Sequence, residues 1–289
     1  MDFVLVLTAA GPLGDELARL ALAAVPGAGP LRRLGPEAVE ASFPGPAAPA
    51  LEAARAALGH APVDANAVPA AGRRKRLLIS DMDSTIITVE CIDEIADFAG
   101  IGPHVSAITE RAMRGELDFE AALRERVALL AGFPEAELAR VHEERVRLSP
   151  GAAALVSAMN GAGALTALVS GGFDFFTARV AAMAGFARHR ANRLLTDGGR
   201  LTGGVAEPIL GREAKLEALI ALSAEIGAGP EDAVAIGDGA NDLAMIEAAG
   251  LGVAWRAKPA VAAMANARLD HADLTAVLRL QGIAAPGFG

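Results

Sequence analysis

The sequence predicts an α/β protein: a doubly wound parallel sheet with an inserted helical block, preceded by a small α+β unit. Three observations predict it. From residue 76 onward, short apolar runs alternate with amphipathic helical stretches, the pattern of a parallel sheet flanked by helices. Residues 91–148 break that alternation with helical periodicity alone, so they read as a cap inserted into the sheet domain. Residues 1–72 carry a strand and helix pattern of their own and lead into a Gly-containing basic stretch, PAAGRRKR. The expected division is therefore 1–72 and 73–289, with the cap at about 91–148.

In the first unit, FVLVLTA reads as a strand rather than as part of a signal peptide, because acidic residues flank it and no basic leader precedes it. GDELARLALAAV has apolar residues at helical spacing. AVEASF reads as a second strand, and PALEAARAALG as a helix with Pro at its start, where a missing N–H costs nothing. VDANAVPA returns as the last strand of a split β-α-β layout. The run Arg73-Arg74-Lys75-Arg76 reads as a solvated linker. In the second unit RLLISD is the first strand. CIDEIADFAG, VSAITERAMRG, DFEAALRERVALLAG and PEAELARVHEERV are the helices of the cap. GAAALVSAMNGAG is a helix leading to the strand ALTALVSGG, and FDFFTARVAAMAG is the helix after it. NRLLTDGGRLTGGV holds two short strand-like runs around Asp-Gly-Gly, a hairpin signal. The helix GREAKLEALIALSAEIG, the strand DAVAIGD, the helix DLAMIEAAG and the strand LGVAW follow.

Composition narrows the function. The chain has 289 residues with a net charge of −9, which argues against nucleic acid as the main partner. No run reaches the roughly 18 uninterrupted apolar residues of a membrane span. The one cysteine, Cys91, leaves no internal disulfide and fits a reducing cytoplasm. It reads as a small buried hydrophobe. No Cys/His cluster of zinc type occurs, and the histidines fit no ligand spacing.

The chemistry sits at the strand ends. In open parallel sheets, ligands bind outside the carboxyl ends of the strands. Three runs end there in polar residues: LLIS followed by Asp81-Met82-Asp83, ALV followed by Ser170-Gly171-Gly172, and VAIG followed by Asp238-Gly239-Ala240-Asn241-Asp242. Neighbouring strands would bring Asp81, Asp83, Asp238 and Asp242 to one place. Four carboxylates there repel one another unless a cation intervenes. Mg²⁺ prefers oxygen ligands, retains waters, and pairs one or two carboxylates with a phosphate. Ser170 and the Gly171-Gly172 backbone would meet the phosphate at a helix start. Lys215 would supply a further positive charge. Asp81 then reads as the nucleophile, Asp83 as the acid and base, and Asp238 as a metal ligand.

These residues also carry a resemblance. DMDST at 81–85 resembles the first signature of the haloacid dehalogenase superfamily. VSGG at 169–172, Lys215 and GDGAND at 237–242 resemble its other three motifs, in order. Residues 76–280 as a whole resemble the phosphoserine phosphatases of that superfamily, with DMDSTIITVE especially close to their first motif. The resemblance implies a Rossmann-like core, a helical cap, Mg²⁺, and hydrolysis of O-phospho-L-serine to serine and phosphate as the last step of serine biosynthesis. It implies metal ligation by Asp81, by Asp238 and by the main-chain carbonyl of Asp83. It implies phosphate binding by Ser170 and Gly171, with Lys215 steadying Asp81 and the phosphate, and Asn241 and Asp242 completing the surroundings. Glu90 would meet the substrate ammonium, and Arg126 its carboxylate. Arg124 and Arg111 offer the same charge nearby. Met113 and Phe119 would close over the substrate or pack the cap. The first unit resembles an ACT-like domain by layout rather than by motif; such domains pair, which implies a homodimer, and nothing in 1–72 identifies a ligand site.

Two other functions remain open from the sequence. One is a phosphatase or phosphotransferase for another small phosphate, such as phosphothreonine, homoserine phosphate or a sugar phosphate. The other is a catalytically inactive amino-acid sensor, against which the intact acid pair argues.

Overall fold

The computed structural model describes residues 2–288, without the side chain of Met113. Strands β1 (Asp2–Ala9), β2 (Arg32–Gly35), β3 (Ala38–Pro44) and β4 (Val63–Pro69) form an antiparallel sheet in the order β2-β3-β1-β4. Alternation along β1 splits its apolar residues between two faces. Leu5 and Leu7 join the core beneath the helices Asp15–Ala23 and Ala47–Leu58. Val4 and Val6 face the other way, with Val68, into the core of the larger domain, where the C-terminal helix Ala276–Leu280 covers them. The sequence reading missed β2. Its four residues include two arginines, and only the pairing with β3 makes them a strand.

The second sheet is parallel throughout. It contains β5 (Leu77–Ser80), β6 (Leu165–Phe173), β7 (Arg188–Asn192), and, after the hairpin β8 (Leu194–Asp197) and β9 (Arg200–Val205), β10 (Ala233–Gly237), β11 (Leu251–Trp255) and β12 (Ala267–Leu269). The order is β12-β11-β10-β5-β6-β7. The chain winds outward from β5 to β7, then returns to the other side of β5 for β10 to β12. The order therefore reverses at β5, and the crevice opens at its carboxyl end. Both edge strands escaped the sequence reading. β7 reads RHRAN and β12 has three residues, and edges tolerate charge and brevity that a central strand does not.

The helices Cys91–Phe98, Gly102–Met113, Phe119–Ala128 and Glu137–Arg145 stand between β5 and β6 as the cap. The β8–β9 hairpin belongs to neither large sheet and packs on the cap. Gly132 N–H donates to the Leu201 carbonyl at 2.8 Å, and Arg200 donates to the Gly132 carbonyl at 2.6 Å. At Gly203, in the left-handed region at φ 83°, a Cβ would come within 3.0 Å of Ala131.

The basic run before β5 is not a solvated linker, contrary to expectation. Arg73 donates to the carbonyls of Leu280 and Arg279 and pairs with the buried Glu40 at 2.8 Å. Lys75 Nζ donates to the Glu231 carbonyl, and Arg76 to those of Ile226 and Gly227. These cations donate to carbonyls at or near the ends of helices and turns, so they fasten the linker to the sheet domain. Asp64 completes the junction. Its buried carboxylate accepts from the backbone N–H groups of Asp270, His271 and Ala272, while Asn66 bonds both the N–H and the carbonyl of Arg268.

Candidate active site

The three strands that end in polar residues are neighbours, β10-β5-β6, so their tips converge. After the fully buried β5 the chain makes one irregular turn, Met82–Ile86. Asp81 Oδ1 accepts from the Met82 N–H at 2.8 Å and from Lys215 Nζ at 2.7 Å. The turn aims Asp83 away from Asp81. Its Oδ1 accepts from the Cys91 N–H at 2.9 Å and its Oδ2 from the Ser170 hydroxyl at 3.2 Å. A Cβ on Gly172 would come within 2.6 Å of Asp83 Oδ2, so only glycine fits there. Gly172 N–H donates to Ser170 Oγ at 2.8 Å.

Lys215, on the helix Arg212–Glu225, is 1% exposed and bridges Asp81 and Asp242, the latter at 2.5 Å. Burial alone would lower its pKa, but the two carboxylates outweigh burial and hold the ammonium above its ordinary range. Asp242 is fully buried, and its other oxygen accepts from the Gly239 N–H. Asp238 accepts from the Thr85 hydroxyl at 2.9 Å. Burial, then the Asp242 charge, push Asp238 up to about 6. Burial, then Glu90, push Asp83 up to about 6. Asp81 is raised as well, by burial and by Asp242, against the pull of Lys215. One lysine does not balance these carboxylates.

That imbalance fits a cation. One carboxylate oxygen from each of Asp81, Asp238 and Asp242 lies within 4.8 Å of the others. Both Asp242 oxygens are engaged, by Lys215 and by Gly239 N–H, whereas Asp81 and Asp238 are each held through one oxygen only, so these two are the freer pair. The Asp83 carboxylate is turned toward Ser170 and Cys91, which leaves its main-chain carbonyl as the group the sequence reading assigned to metal.

A cavity of about 330 Å³ opens over this cluster, lined by Asp81, Asp83, Glu90, Phe119, Arg126, Ser170, Gly171, Asp238 and Asn241 among the expected residues. Lys215 and Asp242 stand behind it. Arg126 donates Nε to the Ala122 carbonyl of its own helix. Burial lowers its pKa, and Asp93 and Glu90 oppose that. The rival arginines are engaged elsewhere: Arg124 with Glu120 and Glu207, Arg111 with Glu125 and Glu116. Phe119 lies over the glycine loop, near enough that a Cβ on Gly171 would come within 2.8 Å of its ring. Met113 was expected to line the cap, but its side chain lies outside the described residues. Three polar lining residues escaped the sequence reading, Asp93, Thr109 and Lys258, as did the apolar Ile92, Leu123 and Phe173. Lys258 follows the tip of β11, and that strand end was the available signal. Ser84 and Thr85 were quoted within the motif but given no task.

A parallel sheet with an Asp-x-Asp pair at its switch point, a buried lysine behind it and a helical cap above defines a capped phosphoryl-handling hydrolase. The haloacid dehalogenase-like hydrolase profile matches residues 78–247, and the chain belongs to that family. It is 45% identical over 210 residues to a phosphoserine phosphatase of Albidiferax ferrireducens, covering 71% of this chain and 89% of that one. Among solved structures, a HAD-family hydrolase from Salmonella enterica serovar Typhi superposes with a TM-score of 0.87 at 30% identity, covering 96% of this chain and 98% of that one. A substrate-bound phosphoserine phosphatase complex superposes with a TM-score of 0.67 at 38% identity, covering 71% and 98%. No helix among the described residues is long and apolar enough to cross a membrane.

Proposed function

We propose that this enzyme hydrolyses O-phospho-L-serine to L-serine and phosphate through a phosphorylated Asp81. One observation carries the reading. The cavity holds an Asp pair with Ser170 at its floor, and Glu90 and Arg126 on its cap side. That is the charge pattern of a zwitterion bearing a phosphate: a carboxylate for the ammonium, a guanidinium for the carboxylate, and donors for the phosphoryl group.

Asp81 Oδ2 makes no hydrogen bond among the described residues, whereas Oδ1 is held by Met82 N–H and Lys215. Oδ2 attacks phosphorus, and Lys215, through its contact with Oδ1, aims the carboxylate and opposes the rise in its pKa. Asp83, its pKa pushed up to about 6 by burial and by Glu90, donates a proton to the departing seryl oxygen. It then takes a proton from the water that attacks phosphorus and frees Asp81. The Ser170 hydroxyl and the Gly171 N–H hold the phosphoryl oxygens, with Asn241 beside them. Asp81, Asp238 and the Asp83 carbonyl would hold Mg²⁺, which when bound neutralises charge on the phosphoryl group. Phe119, which lies over Gly171, helps exclude bulk water during the first transfer.

The same reading divides the chain into 1–72, an ACT-like domain supported by its β-α-β-β-α-β order, and 73–289, the phosphatase with its cap at about 91–148. A homodimer and a cytoplasmic location belong to the reading; light scattering and cell fractionation test them. The direct test is phosphate release from O-phospho-L-serine, phosphothreonine, homoserine phosphate and an aryl phosphate, with Mg²⁺ and with EDTA, using Asp81→Asn as blank. Metal-dependent preference for phosphoserine is expected. Release from the aryl phosphate alone would refute the Glu90 and Arg126 assignments.

A further inference from the structure

Glu90 is exposed and stands at the entry of the first cap helix, just before Cys91. A glutamate in that setting has several rotamers and no reason to keep one. Here it keeps one because the Ser84 hydroxyl donates to Glu90 Oε1 at 2.6 Å. Ser84 itself stands in the left-handed region at φ 53°, one of two non-glycine residues to do so among the described residues. A side chain at such a position is disfavoured and persists only where its surroundings compensate. Two bonds hold it: the Ser84 N–H donates to the Val89 carbonyl at 3.2 Å, and the hydroxyl reaches Glu90. Together they close the loop between the tip of β5 and the cap.

The adjacent residue does a parallel task. Thr85 holds Asp238 by its hydroxyl at 2.9 Å. The two hydroxyls after the Asp pair thus point in different directions, one toward the acidic cluster and one toward the cap side of the cavity. With Oε1 engaged by Ser84, Glu90 has Oε2 left for a ligand. We infer that Ser84 is a positioning residue for substrate selection: it holds the Glu90 carboxylate where the substrate ammonium arrives, and so links the catalytic loop to recognition of the amino group. This rests on the proposed phosphoserine reading and adds to it a residue that touches neither substrate nor phosphate.

The test compares O-phospho-L-serine with 3-phosphooxypropanoate, the same molecule without its amino group, on the full chain with Mg²⁺. The wild type should prefer phosphoserine. Ser84→Ala should lose about tenfold of that preference, the worth of one charge-assisted hydrogen bond, and the loss should fall in KM rather than kcat. In a Glu90→Gln background the same substitution should add little, because its partner is already gone. Ser84→Gly removes the hydroxyl while relaxing the backbone, so it should lose the same preference even if Ser84→Ala folds poorly. Ser84→Asn tolerates the left-handed backbone and carries a donor, and it should restore part of the preference. Equal loss of kcat on both substrates in Ser84→Gly would place Ser84 in the phosphoryl chemistry and overturn the inference. An unchanged preference in that variant would overturn it too. The underlying reading fails differently: the wild type itself would show no preference for the amino group.

Discussion

At the residue scale, Lys215 decides whether the acidic cluster can work. It is buried between Asp81 and Asp242, and no other cation touches either carboxylate among the described residues. Lys215→Ala would leave both carboxylates buried without their partner. We predict a loss on the order of 10²–10³ in kcat, as for removal of a preorganised electrostatic donor. Lys215→Arg should not rescue it, because a planar guanidinium does not reproduce the compact ammonium that meets Asp81 and Asp242 together. Steady-state kinetics with phosphoserine check both variants. Asp83→Asn removes the proposed proton donor, and should cost roughly 10²–10⁴ in kcat. An aryl phosphate with a good leaving group should be spared part of that loss. The sequence offered Lys215 as a positive charge for the acidic cluster, and its place in the family motif singled it out from the other basic residues. An isolated lysine early in a helix looks like a surface residue, and an exposure of only 1% is a fact of packing that local pattern does not carry.

At the scale of elements, the strand ends were the most legible feature. β5, β6 and β10 are apolar runs stopped by Asp or Ser-Gly, and a parallel sheet sends such ends to one side. The edges were not legible. β7 alternates charge and β12 is short, so each exists only because a stronger strand lies beside it. The junction between the domains was hidden for the same reason: Asp64 in VDANAVPA looks like an ordinary strand polar residue. Its carboxylate instead satisfies three backbone N–H groups across the junction. Asp64→Ala should therefore destabilise the chain by roughly 3 kcal/mol, the cost of orphaning buried donors. Urea unfolding measures this, and a change under about 0.5 kcal/mol, the range of an ordinary surface substitution, would contradict it.

At the scale of the whole molecule, the fold gathers more negative charge at the switch point than it neutralises. The sign of the pH effect follows. Asp83 and Asp238 have folded pKa values raised to about 6, above the unfolded carboxylate range. Their contribution to stability is fully present below the unfolded value near 4 and is lost as pH rises through 6. The metal-free protein should thus lose stability from these groups between about pH 4 and 6. Mg²⁺ should raise Tm at pH 7.5 by several degrees, and by clearly less at pH 5, where protons compete for the same oxygens. Melting curves with and without Mg²⁺ at the two pH values test this; equal shifts would remove the acidic cluster as the metal site.

The central claim is that Asp81, not its neighbour two residues on, carries the phosphoryl group. The most direct measurement is to quench the enzyme in acid during turnover of O-phospho-L-serine, reduce with borohydride, and map the modified residue by mass spectrometry. An acyl phosphate on Asp81 would be reduced to homoserine, so conversion at position 81 and at no other aspartate is predicted. Conversion at Asp83, or phosphate release with no aspartate converted under conditions where the intermediate accumulates, would contradict it.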